Sequence, residues 1–203
     1  MITVLFVAFP GSTFNNLTPS TDSTTSTILS IIILTITLIS STEFTAQEFS
    51  KIDVSPMDAA AHPNNWREAN KLVKVVYSRP QLKGRSLDKL APNDKVWRTG
   101  ANEAAEITFY KDVTFGDKEV KAGTYTLFTI PTDGDWTVIL SNHKNIWGSY
   151  FYKKENDIAR ISVPVITTSD SLEAFSIAFE ENDKNITMHM GWDTIRVAVP
   201  FKK

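Results

Sequence analysis

Trp97-Arg-Thr-Gly-Ala-Asn-Glu103 is the densest chemical segment of the chain. It offers a guanidinium, a hydroxyl, an amide and a carboxylate, with Gly100 permitting a tight bend or a close backbone approach. Tyr77-Ser-Arg-Pro-Gln-Leu-Lys-Gly-Arg85 is a second such segment. Arg79, Arg85 and Arg98 together would suit a carboxylate, phosphate or sulfate, because a guanidinium fork binds such oxygens through two parallel hydrogen bonds. Arg79 shares the parity of Val73, Val75 and Tyr77, so a strand reaching it would turn its charge toward the apolar side. A charge placed there needs a partner, and Glu103 is the natural one. The same residues therefore admit a second reading, in which an arginine–glutamate network only ties loops to a sheet.

Asn102, Glu103 and Asp157 could supply proton-transfer chemistry, with Glu103 as the acid or base. Glycoside hydrolysis would need two carboxylates roughly 5–9 Å apart, and no spacing in the chain demonstrates such a pair. The three histidines, His62, His143 and His189, are scattered and match no metal-ligand spacing, so no metal is expected. No nucleophile elbow, phosphate-cradling loop or dinucleotide fingerprint occurs, and no cofactor is expected. Of the five tryptophans, Trp136 sits in a strand alternation and belongs in a core. Trp97 and Trp147 are candidate walls of a pocket, Trp147 the better one because it precedes Gly148.

These residues must be held by strands. Apolar residues alternate in Val73–Tyr77, Ile107–Phe109, Tyr125–Thr129, Trp136–Leu140, Ile161–Val165, Phe175–Phe179, Ile186–Met190 and Ile195–Val199. A period of two marks half-buried strands. Turn residues separate the runs at Phe115-Gly-Asp117, Ala122-Gly123, Pro131-Thr-Asp-Gly134 and Glu181-Asn-Asp-Lys-Asn185. The expected fold is all-β: an antiparallel β-sandwich, or a partly open barrel, of about eight or nine strands. Short helical turns are expected at Pro56–Ala61, Ser86–Leu90 and Asn142–Trp147. The segment from Glu48 to Asn70 reads as irregular.

The 203 residues carry a formal net charge of −2, and no long basic run interleaves with aromatics, so no nucleic-acid partner is expected. There is no cysteine, which excludes disulfides, thiolate metal sites and a cysteine nucleophile. Residues 1–42 hold a single charge, Asp22, and end in the apolar run Ile28–Ile39. That run is short for a bilayer span, which takes about 20 residues, and suits the apolar region of a signal peptide. Residues 1–47 are thus read as an export segment, and residues 48–203 as one domain, periplasmic or extracellular. Retention of the apolar segment as a membrane anchor is the alternative.

Several motifs carry a resemblance. Tyr77-Ser-Arg-Pro80, Lys83-Gly-Arg85, Val96-Trp-Arg-Thr-Gly-Ala-Asn-Glu103, Ala122-Gly-Thr-Tyr-Thr-Leu-Phe-Thr-Ile-Pro131, Trp136–Leu140 and Trp147-Gly148 resemble the family called domain of unknown function 2911. The likeness runs from about Ser55 to Pro200. It implies an exported protein of a kind found largely in Bacteroidota, and no established activity. The expected function is a binding module for a small anion or a saccharide, lined by Arg79, Arg85, Trp97, Arg98, Asn102, Glu103 and Trp147. An envelope protein-interaction domain and a hydrolase using Glu103 are the alternatives.

Overall fold

The computed structural model describes residues 47–183 and 185–203, so the expected export segment lies outside the described residues except for Gln47. Among the described residues nine strands follow one another: β1 Met57–His62, β2 Val73–Ser78, β3 Glu106–Phe109, β4 Val113–Phe115, β5 Lys118–Val120, β6 Gly123–Ile130, β7 Asp135–Ser141, β8 Asp157–Glu181 and β9 Asn185–Lys202. They hydrogen-bond in the order β1-β2-β3-β6-β7-β8-β9-β4-β5, and every pairing is antiparallel. Among the described residues, one short helix, α1 (Leu87–Leu90), and a 3-10 turn at Lys154–Asn156 complete the regular structure.

β8 makes this sheet a sandwich. Up to Pro164 it pairs with β7; from Val165 onward it pairs with β9. Register shifts between Thr167 and Ser176 bend it, as bulges do. The chain thereby passes from one layer to the other without leaving the ladder, and the sheet remains open. Large side chains from the two layers meet between them. Phe109 of β3 lies edge-on to Phe201 of β9 at 5.2 Å, and Trp97 stacks on Trp192 of β9 at 5.6 Å. The alternation in β2 maps directly onto this core, with Val73, Val75 and Tyr77 buried and Lys74 and Val76 half-buried. Trp136 lies in the same core, and His189 faces outward.

β6 and β7 break the alternation in an informative way. Residues Tyr125–Thr129 are buried on both faces, as are Val138–Ser141. Their second face carries a smaller apolar cluster of Ala104, Phe128, Ile139 and Ile146, flanked by Val96, Ile130 and Tyr152. A strand that is apolar on both faces needs a cover on each. Here the outer cover is made of two loops rather than a helix.

Three local expectations change. Pro56–Ala61 was expected to turn helically, yet Met57–His62 is an edge strand on β2, because ladder pairing outweighs the helix propensity of its alanines. Asn142–Trp147 is not helical, since its backbone groups bond to a neighbouring loop. The paired runs Ile161–Val165 with Phe175–Phe179, and Ile186–Met190 with Ile195–Val199, fuse into single strands. Ser86–Leu90 does carry its helical turn.

Candidate functional site

The first covering loop is an excursion from the β3 line. Trp97 exchanges both backbone hydrogen bonds with Thr129 of β6, and Ala105 accepts one from Leu127. Residues 98–104 bulge out between these two anchors, and the Ala105 amide closes the neck by donating to the Arg98 carbonyl at 3.0 Å. Thr99 and Asn102 adopt positive φ angles of 54° and 58° to make the bends. Gly100 packs against β2, where a Cβ would stand 3.0 Å from the Ser78 carbonyl oxygen. The second loop joins β7 to β8 and is closed at its neck by the Asn142 amide donating to the Asn156 carbonyl, 2.9 Å.

The loops are tied to each other. Ala104 N–H donates to Ile146 O, and Gly148 N–H donates to Asn102 O, each at 2.8 Å. Glu103 and Trp147 thereby face one another across an antiparallel bridge. The Glu106 carboxylate also accepts from the Asn145 amide at 2.9 Å. Below the second loop, Tyr152 donates to Asp157 Oδ2 at 2.8 Å, and Arg160 donates to the same oxygen at 2.6 Å and to the Tyr152 hydroxyl. Burial, reinforced by the hydrogen bond to the Asp157 carboxylate, pushes the Tyr152 hydroxyl up to about 12. The tyrosine therefore stays a neutral donor that fastens the loop.

What this scaffold presents to solvent is aromatic. Trp147 and Tyr150 stack nearly parallel, with centroids 5.9 Å apart and planes 12° apart. They are 54% and 74% exposed, and Phe151 beside them is 65% exposed. Gly148 makes the stack possible: its φ is +71°, and a Cβ would approach the Tyr150 ring to 2.8 Å and stand 3.9 Å from Arg98 Nη1. Arg98 is thus the cation at the platform's edge. Glu103 is exposed and, with Glu106 and Asn145, borders a cavity of about 230 Å³ floored by Val76, Ala104 and Ile146.

The polar atoms of this end are unusually poor in partners. Among the described residues, the buried side-chain nitrogens and oxygens without a hydrogen bond are Arg98 Nε, His143 Nδ1 and Asp157 Oδ1. All three lie on the two loops or at their neck. Buried polar groups are normally satisfied, so their concentration here marks a place where the chain retains an unfavourable arrangement.

The expected site residues divide into two groups. Arg98, Asn102, Glu103 and Trp147 come together on the paired loops. Arg79, Arg85 and Trp97 do not join them. Arg79 donates to the Phe175 carbonyl at 3.1 Å, to Ser176 Oγ at 2.7 Å and to Asp58 at 3.2 Å, so its ion partner is Asp58 rather than Glu103. Arg85 turns back on its own loop, bonding the carbonyls of Leu82 and Gln81. Trp97 is 5% exposed in the inter-sheet core, stacked on Trp192 and edge-on to Trp136 and Phe175. Asp157 is bound to Arg160 and Tyr152 with its side chain only 8% exposed. Sequence reasoning missed Tyr150, Tyr152 and Arg160. The signal was present in Phe128 and Ile139, whose apolar outer parity called for a cover, and in the aromatic run Tyr150–Tyr152.

No curated protein and no solved structure matches the chain. A family's sequence model does match it, over residues 55–201. That stretch holds all nine strands nearly to the last residue, together with both loops and the tryptophans between the layers. The chain belongs to the family described as Protein of unknown function (DUF2911).

Proposed function

We propose that this domain is an exported saccharide-binding module whose site is the platform formed by the two tied loops. The observation that carries the reading is the stacked, solvent-facing Trp147–Tyr150 pair beside Arg98. A pyranose ring has an apolar C–H face whose positive edge suits the negative face of an indole or phenol. Asn102, Glu103 and Arg98 supply the acceptors and donors that ring hydroxyls require, and a site of this kind needs few such groups if they are well placed. Four neck and cross-loop backbone hydrogen bonds hold the two loops in register, which lowers the ordering cost of binding. Export is supported by the apolar run Ile28–Ile39.

The test is a glycan panel read by binding and by thermal unfolding. A saccharide at 100 times its Kd should stabilise the protein by about 2.7 kcal/mol. Trp147→Ala should abolish both signals while leaving unfolding of the free protein within about 0.5 kcal/mol, since the side chain is half exposed. Retained affinity in Trp147→Ala would move the site off the platform.

A further inference from the structure

The second loop has a charge pattern that the aromatic platform does not explain. Between its necks, from Asn142 to Asn156, it contains Lys144, Lys153 and Lys154 against one carboxylate, Glu155. All three lysines are exposed, and none takes part in the ion pairs of the described residues. Arg98 adds a fourth cation against Gly148, and it too forms no ion pair there. On the other side of the ledger stand Glu103, Glu106 and Glu155. Glu106 is engaged by the Asn145 amide, and Glu155 shares the 3-10 turn with Lys154. A loop that displays three exposed aromatics and carries three lysines without ion pairs combines a ring-stacking surface with groups that attract anions.

Building on the saccharide reading, we infer that the ligand is an acidic saccharide, one whose rings carry carboxylate or sulfate groups. Its rings stack on Trp147 and Tyr150. Its anionic groups meet Arg98, the best placed for a bidentate contact, and the lysines Lys144, Lys153 and Lys154. Glu103 accepts from ring hydroxyls.

The experiment measures binding of the full chain to oligogalacturonate, oligomannuronate and a heparin hexasaccharide, each against its carboxyl-reduced, desulfated counterpart, with a dodecamer of deoxythymidylate as a further probe. At least one acidic oligosaccharide should bind roughly tenfold more tightly than its neutral counterpart at low salt, the size that two exposed ion pairs supply. The margin should shrink at high salt, as screening requires. The triple variant Lys144→Gln, Lys153→Gln, Lys154→Gln should lose the margin while keeping its melting temperature and its affinity for the neutral counterpart. Equal affinity for charged and neutral forms would overturn the acidic ligand and leave the platform reading intact. Binding of none of the six saccharides would overturn both. Tighter binding of the deoxythymidylate than of every saccharide would overturn both in favour of single-stranded nucleic acid, whose bases also stack on aromatics beside basic groups.

Discussion

Arg79 and Arg98 come from similar polar segments, each just after an apolar strand or bridge residue, and they end in opposite conditions. The Arg79 guanidinium bonds through each of its three nitrogens, to the Phe175 carbonyl, Ser176 Oγ and Asp58, and so laces β1 and β2 to the far half of β8. Tyr77 assists there, its buried hydroxyl accepting from the Ile177 amide at 3.0 Å. Arg98 has a buried Nε without a partner and a terminal nitrogen beside an exposed aromatic stack. An arginine whose three nitrogens all reach the chain contributes to holding it together. One whose donors are left open is available to something else.

The largest effect expected bears on the core that both regions share. Trp97→Ala should destabilise the fold by about 3–5 kcal/mol, because it empties the space between Trp192, Trp136 and Phe175. Chemical denaturation measures this, and a loss below about 1 kcal/mol would show that Trp97 is not part of the inter-sheet core. Next comes the direct comparison. Arg79→Met should cost about 2 kcal/mol, reduced from the full value of three charged hydrogen bonds because the side chain is 37% exposed. Arg98→Met should cost less than about 1 kcal/mol, since its methylene stem is replaced and no bonded partner is orphaned. Equal losses for the two would erase the distinction between them.

Gly148→Ala sharpens the comparison from the platform side. The positive φ should cost about 1–2 kcal/mol, and the added methyl must push Tyr150 aside. Near-ultraviolet circular dichroism should report loss of the Trp147–Tyr150 stack, with β-sheet content unchanged. An unaltered spectrum would mean that the stack does not depend on Gly148. The smallest effect is a pH dependence far from the site. The Lys203 ammonium, and after it His62, hold the Glu181 carboxyl below its ordinary value of 4.5. A carboxyl so lowered stabilises the fold above its ordinary value, and that contribution is lost as the pH falls through the folded value. Glu181→Gln should therefore flatten the acid limb of melting temperature against pH and leave the region above pH 5 nearly parallel to the parent. An unchanged acid limb would remove Glu181 from the contacts that join β1, β8 and the C-terminal strand.

The inward faces of β2, β6, β7, β8 and β9 were legible in the chain because each side chain's face follows from local backbone geometry. The all-β class and the burial of Trp136 follow from the period of two. The family membership was legible separately, in the ordered motifs. Half of the candidate site was legible too: Arg98, Asn102, Glu103 and Trp147 have side chains suited to a polar ligand, and the structure assembles them.

What only the tertiary structure decided is who meets whom. Arg79 and Arg98 are indistinguishable as residue types; their difference comes from Ser176 and Asp58, which lie 97 and 21 positions away from Arg79. Trp97 and Trp147 are likewise both tryptophans beside flexible segments, and one fills the core while the other faces water. The passage of β8 from one layer to the other, and the tying of the 98–104 loop to Ile146 and Gly148, depend on contacts between distant parts of the chain. Alternation records a residue's preference for one face of a strand. It contains no term for which strand or loop will come to cover that face.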